Sequence, residues 1–212
     1  GGDLEKTDTI DGGAGTDTVN ISVSGAHTAA YSLEAVDLDK VEKVFVSNYQ
    51  TDDSYETTVS ATLFDSSLTT VGVSSSASTG DTTFSGLKQS VDAEMRNGAG
   101  NLTLTYETDV LKGTADTQTL TVQGATAGTF TANGAETIAV TTELTKSTLT
   151  DITGTDTTKI TIAGDKALKV TSALDEKTID ASSNSGGVTI TLATADQTIT
   201  GGSGNDVIDG VG

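Results

Sequence analysis

Gly201-Gly202-Ser203-Gly204-Asn205-Asp206-Val207-Ile208-Asp209 spells G-G-x-G-x-D-x-U-x, where U is apolar, and Gly12-Gly13-Ala14-Gly15-Thr16-Asp17-Thr18-Val19-Asn20 spells it again near the other end of the chain. Nonapeptides of this form build a parallel β-roll whose turns take calcium. Glycine lets the backbone turn tightly and aim carbonyl oxygens inward. The aspartate adds a carboxylate, and the apolar residue two positions later points into the roll from a short strand. Calcium, a hard cation, takes about six to eight such oxygens. One copy in a glycine-rich chain would mean little. Two copies, each leading into a strand-like segment, point to a solenoid.

Composition agrees. Thirty acidic residues against 11 basic ones give a net charge of −19 and a pI near 4.1. Such a field repels nucleic acid and anionic membrane surfaces and attracts divalent cations. There is no cysteine, so neither a disulfide framework nor a thiolate zinc site is available. Proline is also absent. It removes a ladder donor, so its absence suits a chain made of paired strands and tight turns. No apolar run approaches the roughly 18–20 residues of a membrane span, and no signal-peptide pattern opens the chain. The Gly1-Gly2 start reads as a piece of something longer.

Threonine supplies 42 of the 212 residues, mostly alternating with Val, Ile or Leu. Asn101–Tyr106, Gln118–Gln123 and Thr137–Thr141 read as strands with one apolar face. Their apolar pairs, Leu102/Leu104, Leu120/Val122 and Ile138/Val140, recur at equal spacing. Ile190, Ile199 and Ile208 sit nine apart, as do Val170, Ile179 and Val188. A coil of about 18 residues with two strands generates both periods. The strands of a sandwich also recur, about every 8–12 residues, but equal spacing that ends in a β-roll motif favours the solenoid. The six paired residues are expected to point into one continuous interior.

The earlier part is less regular. Asp17–Ser24, Glu42–Ser47, Thr57–Phe64 and Thr69–Ser74 read as strands. Between Ser85 and Gly98, Leu87, Val91 and Met95 recur at i+4, making 85–97 the candidate for a single short helix. The expected class is thus all-β, a parallel β-solenoid with Gly-Asp calcium turns near both ends. Its organisation is a calcium turn and first strand over 1–20, an irregular β-rich section over 21–100, regular coils over 101–200 and a truncated nonapeptide over 201–212.

Several segments together resemble the calcium-dependent bacterial surface-layer proteins that carry RTX-type repeats. Thr9–Val19 is similar to that family's calcium turn leading into a strand. Val41–Val46 and Gly134–Val140 are similar to its recurrent G-x-E-T-U-x-U coil, and Ile160–Val170 and Thr178–Ser182 to its later coils. The resemblance implies a secreted, type I-exported, calcium-stabilised solenoid that self-associates into a lattice on the bacterial cell surface. Other parts of the parent protein could hold cell-surface polysaccharide. Nucleic acid and membrane insertion are not expected. The implied calcium residues are Asp8, Asp11, Gly13, Gly15 and Asp17 at one end and Gly202, Gly204, Asp206 and Asp209 at the other. In that family the ion is shared between turns on successive coils. At that spacing the partner of Asp17 would be Ala35, and the partner of Asp206 would lie beyond the sequence. Gly1-Gly2-Asp3 with Thr7–Asp11 is the candidate partner turn at the start.

Catalysis finds little support. His27 is the only histidine, and neither G-x-S-x-G nor H-E-x-x-H occurs. Asp37/Asp39 and Asp52/Asp53 could pair as acid and base, but aromatic residues to hold a sugar are few. No enzymatic activity is expected. The two function classes are a surface-layer building block and, as the alternative, the stalk of a large secreted calcium-dependent adhesin.

Overall fold

The computed structural model describes residues 8–24, 31–33, 36–50, 56–78, 80–193 and 196–210. Strands follow in chain order as β1 (Thr9–Asp11), β2 (Thr18–Val23), β3 (Tyr31–Leu33), β4 (Asp37–Asp39), β5 (Lys43–Asn48), β6 (Thr57–Ser60) and β7 (Thr70–Ser74). Then come β8 (Thr82–Leu87), β9 (Asp92–Arg96), β10 (Leu102–Tyr106), β11 (Thr117–Gln123), β12 (Thr129–Ala132), β13 (Thr137–Thr142) and β14 (Ser147–Leu149). The last are β15 (Asp151–Thr153), β16 (Lys159–Gly164), β17 (Leu168–Leu174), β18 (Thr178–Asn184), β19 (Val188–Leu192), β20 (Thr198–Thr200) and β21 (Val207–Asp209).

The chain winds as a parallel β-solenoid of about eight turns. Its front is one nine-stranded sheet, β2-β5-β7-β9-β11-β13-β16-β18-β20. The back is a six-stranded sheet, β3-β6-β8-β10-β12-β15, succeeded by a four-stranded one, β14-β17-β19-β21, and β1 pairs with β4 beside them. Each turn therefore has a leading corner, where the chain enters the front sheet, and a trailing corner, where it leaves. Alternation builds the layers. Leu102, Leu104, Leu120, Val122, Ile138 and Val140 are all at most 1% exposed and lie in one core that runs from Ile21 to Ile190. Burying each is worth about 1.5–3 kcal/mol.

The expected period needs correction. Leu120 registers with Val140 rather than with Ile138, and Ile138 lies opposite Gln118. Leu102 is on the back sheet, between Thr82 and Phe130. The step from Leu102 to Leu120 thus crosses from one face to the other. Front-sheet coils are also unequal in length, as the long step from Val44 to Val71 and the short one from Ile160 to Ile179 show. Only at the end does the tight coil appear: Ile208 stacks on Ile190, and Ile199, midway between them, lies on the front sheet beside Ile179.

The helix near 85–97 is not formed; β8 and β9 occupy that stretch. A spacing of four is also a multiple of two, so Val91 and Met95 fit the inward side of a strand, with Ala93 buried between them. The one helical turn among the described residues is a 3-10 turn at Ala61–Leu63.

Two departures from simple alternation are both satisfied. Buried Gln118 accepts the Tyr106 hydroxyl at 2.5 Å and donates to the carbonyls of Val91 and Thr119 at 2.9 and 2.8 Å. Burial pushes the Tyr106 phenol well above its ordinary pKa. Phe45 is buried outside the core cluster. Its ring fits beside Gly72, and the Arg96 guanidinium covers it 3.8 Å from the centroid.

Candidate functional site

The N-terminal glycine turn forms the first described leading corner, between β1 and β2. Gly13 and Gly15 hold φ of +85° and +130°, conformations that a side chain would strain. Gly12 lies flat on the next coil: its N–H donates to Asp39 O at 2.9 Å, and a Cβ there would come 2.1 Å from Lys40 O. Asp11 registers directly with Asp39, a like-charge pair that repels. Lys40 offsets it. Its ammonium lies 2.9 and 3.0 Å from the two Asp11 oxygens, and Gly13 N–H donates to the same carboxylate at 2.9 Å. The Lys40 ammonium first, and then the Gly13 N–H, hold the Asp11 carboxyl below the usual carboxylate range. Asp8 marks the start of this pairing, where its carbonyl accepts Asp37 N–H at 3.1 Å.

Asp17 closes the turn. Its N–H donates to Glu42 Oε2 at 2.7 Å, and its carbonyl accepts Lys43 N–H at 3.0 Å. Glu42 O in turn accepts the N–H groups of Thr69 and Thr70, which ties three coils together. Asp17 Oδ2 is buried and has no hydrogen-bond partner among the described residues. The second acid at this corner is therefore Glu42. Ala35, the position that the family's spacing selects, lies outside the described residues, as does the candidate partner Gly1-Gly2-Asp3. The signal for Glu42 is present in the Val41–Val46 coil segment, whose glutamate sits two residues before Val44, the first inward residue of β5.

The same frame recurs in the middle of the chain with no nonapeptide to announce it. Asp116 N–H donates to Glu136 Oε2 at 2.7 Å, Thr137 N–H donates to Asp116 O at 3.1 Å, and Glu136 O accepts the N–H groups of Thr158 and Lys159. Here the aspartate is satisfied, because Gly113 N–H donates to Asp116 Oδ2 at 2.6 Å.

The C-terminal turn differs in place and in bonding. It leaves the front sheet after β20, so it forms a trailing corner at the opposite edge and end from Asp17. Gly202 and Gly204 press on the coil below, where a Cβ would meet Asn184 O at 1.9 Å and Gly187 N at 2.3 Å. Asp206 Oδ1 accepts Val188 N–H at 2.9 Å across one tight coil. The turn beneath, Asn184–Gly187, carries no acid. Asp209 is exposed at the end of β21. The two groups of sequence-selected residues are thus not brought together.

At the N-terminal corner the feature that bears on a cation is the orphaned Asp17 oxygen. A buried carboxylate oxygen without a donor or counter-charge is costly. Among the described residues no group of three or more acids or histidines is placed to hold a metal. An ion there would be held by Asp17 and Glu42, with turn carbonyls and water supplying its other oxygens.

A cavity of about 670 Å³ beside Tyr106 borrows Gln89, whose amide caps the Ser66 and Leu68 carbonyls, and Asp109, which pairs with Lys112. Asp37 and Asp39 lie within the β1–β4 pairing, and His27, Asp52 and Asp53 lie outside the described residues. Comparison with protein families, with curated proteins and with solved structures gives no match.

Proposed function

We propose that this chain is a structural section of a bacterial surface layer, a non-catalytic solenoid that calcium stabilises and that self-associates into a cell-surface lattice after type I export. The observation that carries the reading is the glycine turn at Asp17, stacked on Glu42 with one carboxylate oxygen buried and unpartnered. When bound, calcium would supply a counter-charge to the Asp17 oxygen, since the Lys40 ammonium of this corner is engaged by Asp11. The chain's own residues do the rest. Gly12 allows close stacking on the next coil, Glu42 fixes the Asp17 backbone, and the outward positions of the sheets carry many threonines.

The stalk of a secreted adhesin would use the same coils, so the two readings separate at the level of assembly. Electron microscopy of the purified protein with calcium should show two-dimensional sheets that disperse on chelation. Isolated fibres or rods would favour the stalk. Neither form, with a melting temperature indifferent to calcium, would overturn both.

A further inference from the structure

Glu176 stands in the leading corner between β17 and β18 and is only 3% exposed, although its neighbours Asp175 and Lys177 both face solvent. Counting back two residues from the paired positions Thr178, Lys159 and Thr137, its column reads Glu176, Thr157, Ala135. A long acid therefore occupies a place that the coils below fill with small side chains. Its Oε2 is buried without a hydrogen-bond partner among the described residues. The charged groups that face it are carboxylates, Asp175 from its own turn and Asp151 from β15, while the backbone N–H groups of Glu176 and Asp175 hydrogen-bond the carboxyl and only partly offset its burial. In the corner below, Asp156 is exposed and Lys159 half-buried; in the corner above, Asp196 is exposed. None of these forms an ion pair with it.

The same corner anchors the last coil. Gln197 Nε2 donates to the carbonyls of Leu174 and Glu176 at 2.7 and 2.9 Å, and Thr198 N–H donates to Lys177 O at 3.0 Å. We propose that Glu176 is a protonation latch: the neutral acid seals this corner, and its ionisation loosens the corner together with the terminal coil, β20 and β21, clamped to it.

Burial first, and then the two carboxylates, push its pKa up to about 7 from an ordinary 4.5. A raised folded-state value means the folded protein holds the proton more tightly. The stabilisation is complete below the ordinary value and is lost as pH rises through about 7.

The test uses the whole chain in chelator, which separates it from any calcium effect. Thermal melts and amide-exchange protection of β20 and β21 would be followed from about pH 5 to about pH 8. The wild type should lose melting temperature and about tenfold or more of its β20–β21 protection across that range, while Glu176→Gln should stay nearly flat. Carboxyl-carbon NMR of wild-type Glu176 is an independent readout if the variant does not fold. A midpoint in the ordinary glutamate range, or a Glu176→Gln variant as pH-sensitive as the wild type, would overturn the latch.

Discussion

The corner at Asp17/Glu42 and the corner at Asp116/Glu136 share one frame: aspartate N–H to glutamate Oε2 at 2.7 Å, and glutamate carbonyl to two N–H groups of the third coil. They differ first at the aspartate carboxylate. Asp116 Oδ2 folds back on Gly113 N–H, whereas Asp17 Oδ2 has no donor among the described residues. The middle corner is thus stacked by backbone bonds together with two side-chain acceptors, Glu136 Oε2 and Asp116 Oδ2. What calcium would add at the N-terminal corner is confined to one oxygen and its surroundings. The glycines differ in the same sense. Gly12 is pressed against backbone, and Gly113 against the flexible end of the Asp116 side chain.

Alanine at those two glycines should give the largest contrast. A Gly12→Ala methyl would lie 2.1 Å from Lys40 O and 2.8 Å from Asp17 Cβ, so two coils must separate. The expected loss is near the top of the usual overpacking range of about 1–3 kcal/mol. Gly113→Ala meets only the Asp116 carboxylate, at 2.9 Å, and should cost less than about 1 kcal/mol. Urea melts of both variants decide it; equal losses would mean the two corners are not packed differently.

Calcium should divide the corners next. At a hundredfold excess over Kd the folded state gains about 2.7 kcal/mol, or roughly 5–10 °C for a chain of this size. Asp17→Ala should remove that gain and Asp116→Ala should keep it. Magnesium should substitute poorly, because it prefers a tight octahedron and retains its waters. A calcium response undiminished in Asp17→Ala would place the ion elsewhere.

The same two corners show how much was legible in the sequence. The solenoid was legible because threonine and aliphatic residues alternate, and because the last coil is tight enough for Ile190, Ile199 and Ile208 to mark successive faces. Coil length in the rest of the chain was not. It is set by corner connections whose lengths differ from coil to coil, so their buried residues leave no periodic trace. That is why Glu42, on a longer coil than the nonapeptide spacing allows, is not reached by that spacing, which lands on Ala35, a residue with no side-chain oxygen. The Asp116 corner escaped for another reason. Its turn, Gly113-Thr114-Ala115-Asp116, keeps the aspartate but has lost the paired glycines of the nonapeptide. The short helix failed because Leu87, Val91 and Met95 satisfy both periods, and only the small inward Ala93 separated them.

Without calcium, the two aspartates should respond with opposite sign. Asp116→Ala opens the bond to Gly113 N–H and should cost about 0.5–1.5 kcal/mol. Asp17→Ala removes a charged oxygen that has no donor, so in chelator it should cost nothing or stabilise slightly. Denaturant melts of both variants in chelator provide the comparison. A destabilisation of Asp17→Ala matching that of Asp116→Ala would show that Oδ2 is satisfied after all.

The smallest effect should come from Lys40, which has no counterpart at the middle corner. Its ammonium pairs with Asp11, which registers with the like-charged Asp39, yet both Lys40 and Asp11 are more than half exposed, so solvent and salt screen the pair. Lys40→Met should lower the melting temperature only slightly in dilute buffer, and the difference should vanish in about 1 M salt, where the Debye length is near 3 Å. The pH dependence has a definite sign. Lys40 and Gly13 depress the Asp11 value in the folded state, so this contribution is present above the ordinary carboxylate range and is lost as pH falls through the folded value. Wild type and Lys40→Met should therefore converge on acidification and stay apart at neutral pH. Convergence instead on raising the pH toward 8 would rule out Asp11 as the partner, because Asp11 remains ionised there.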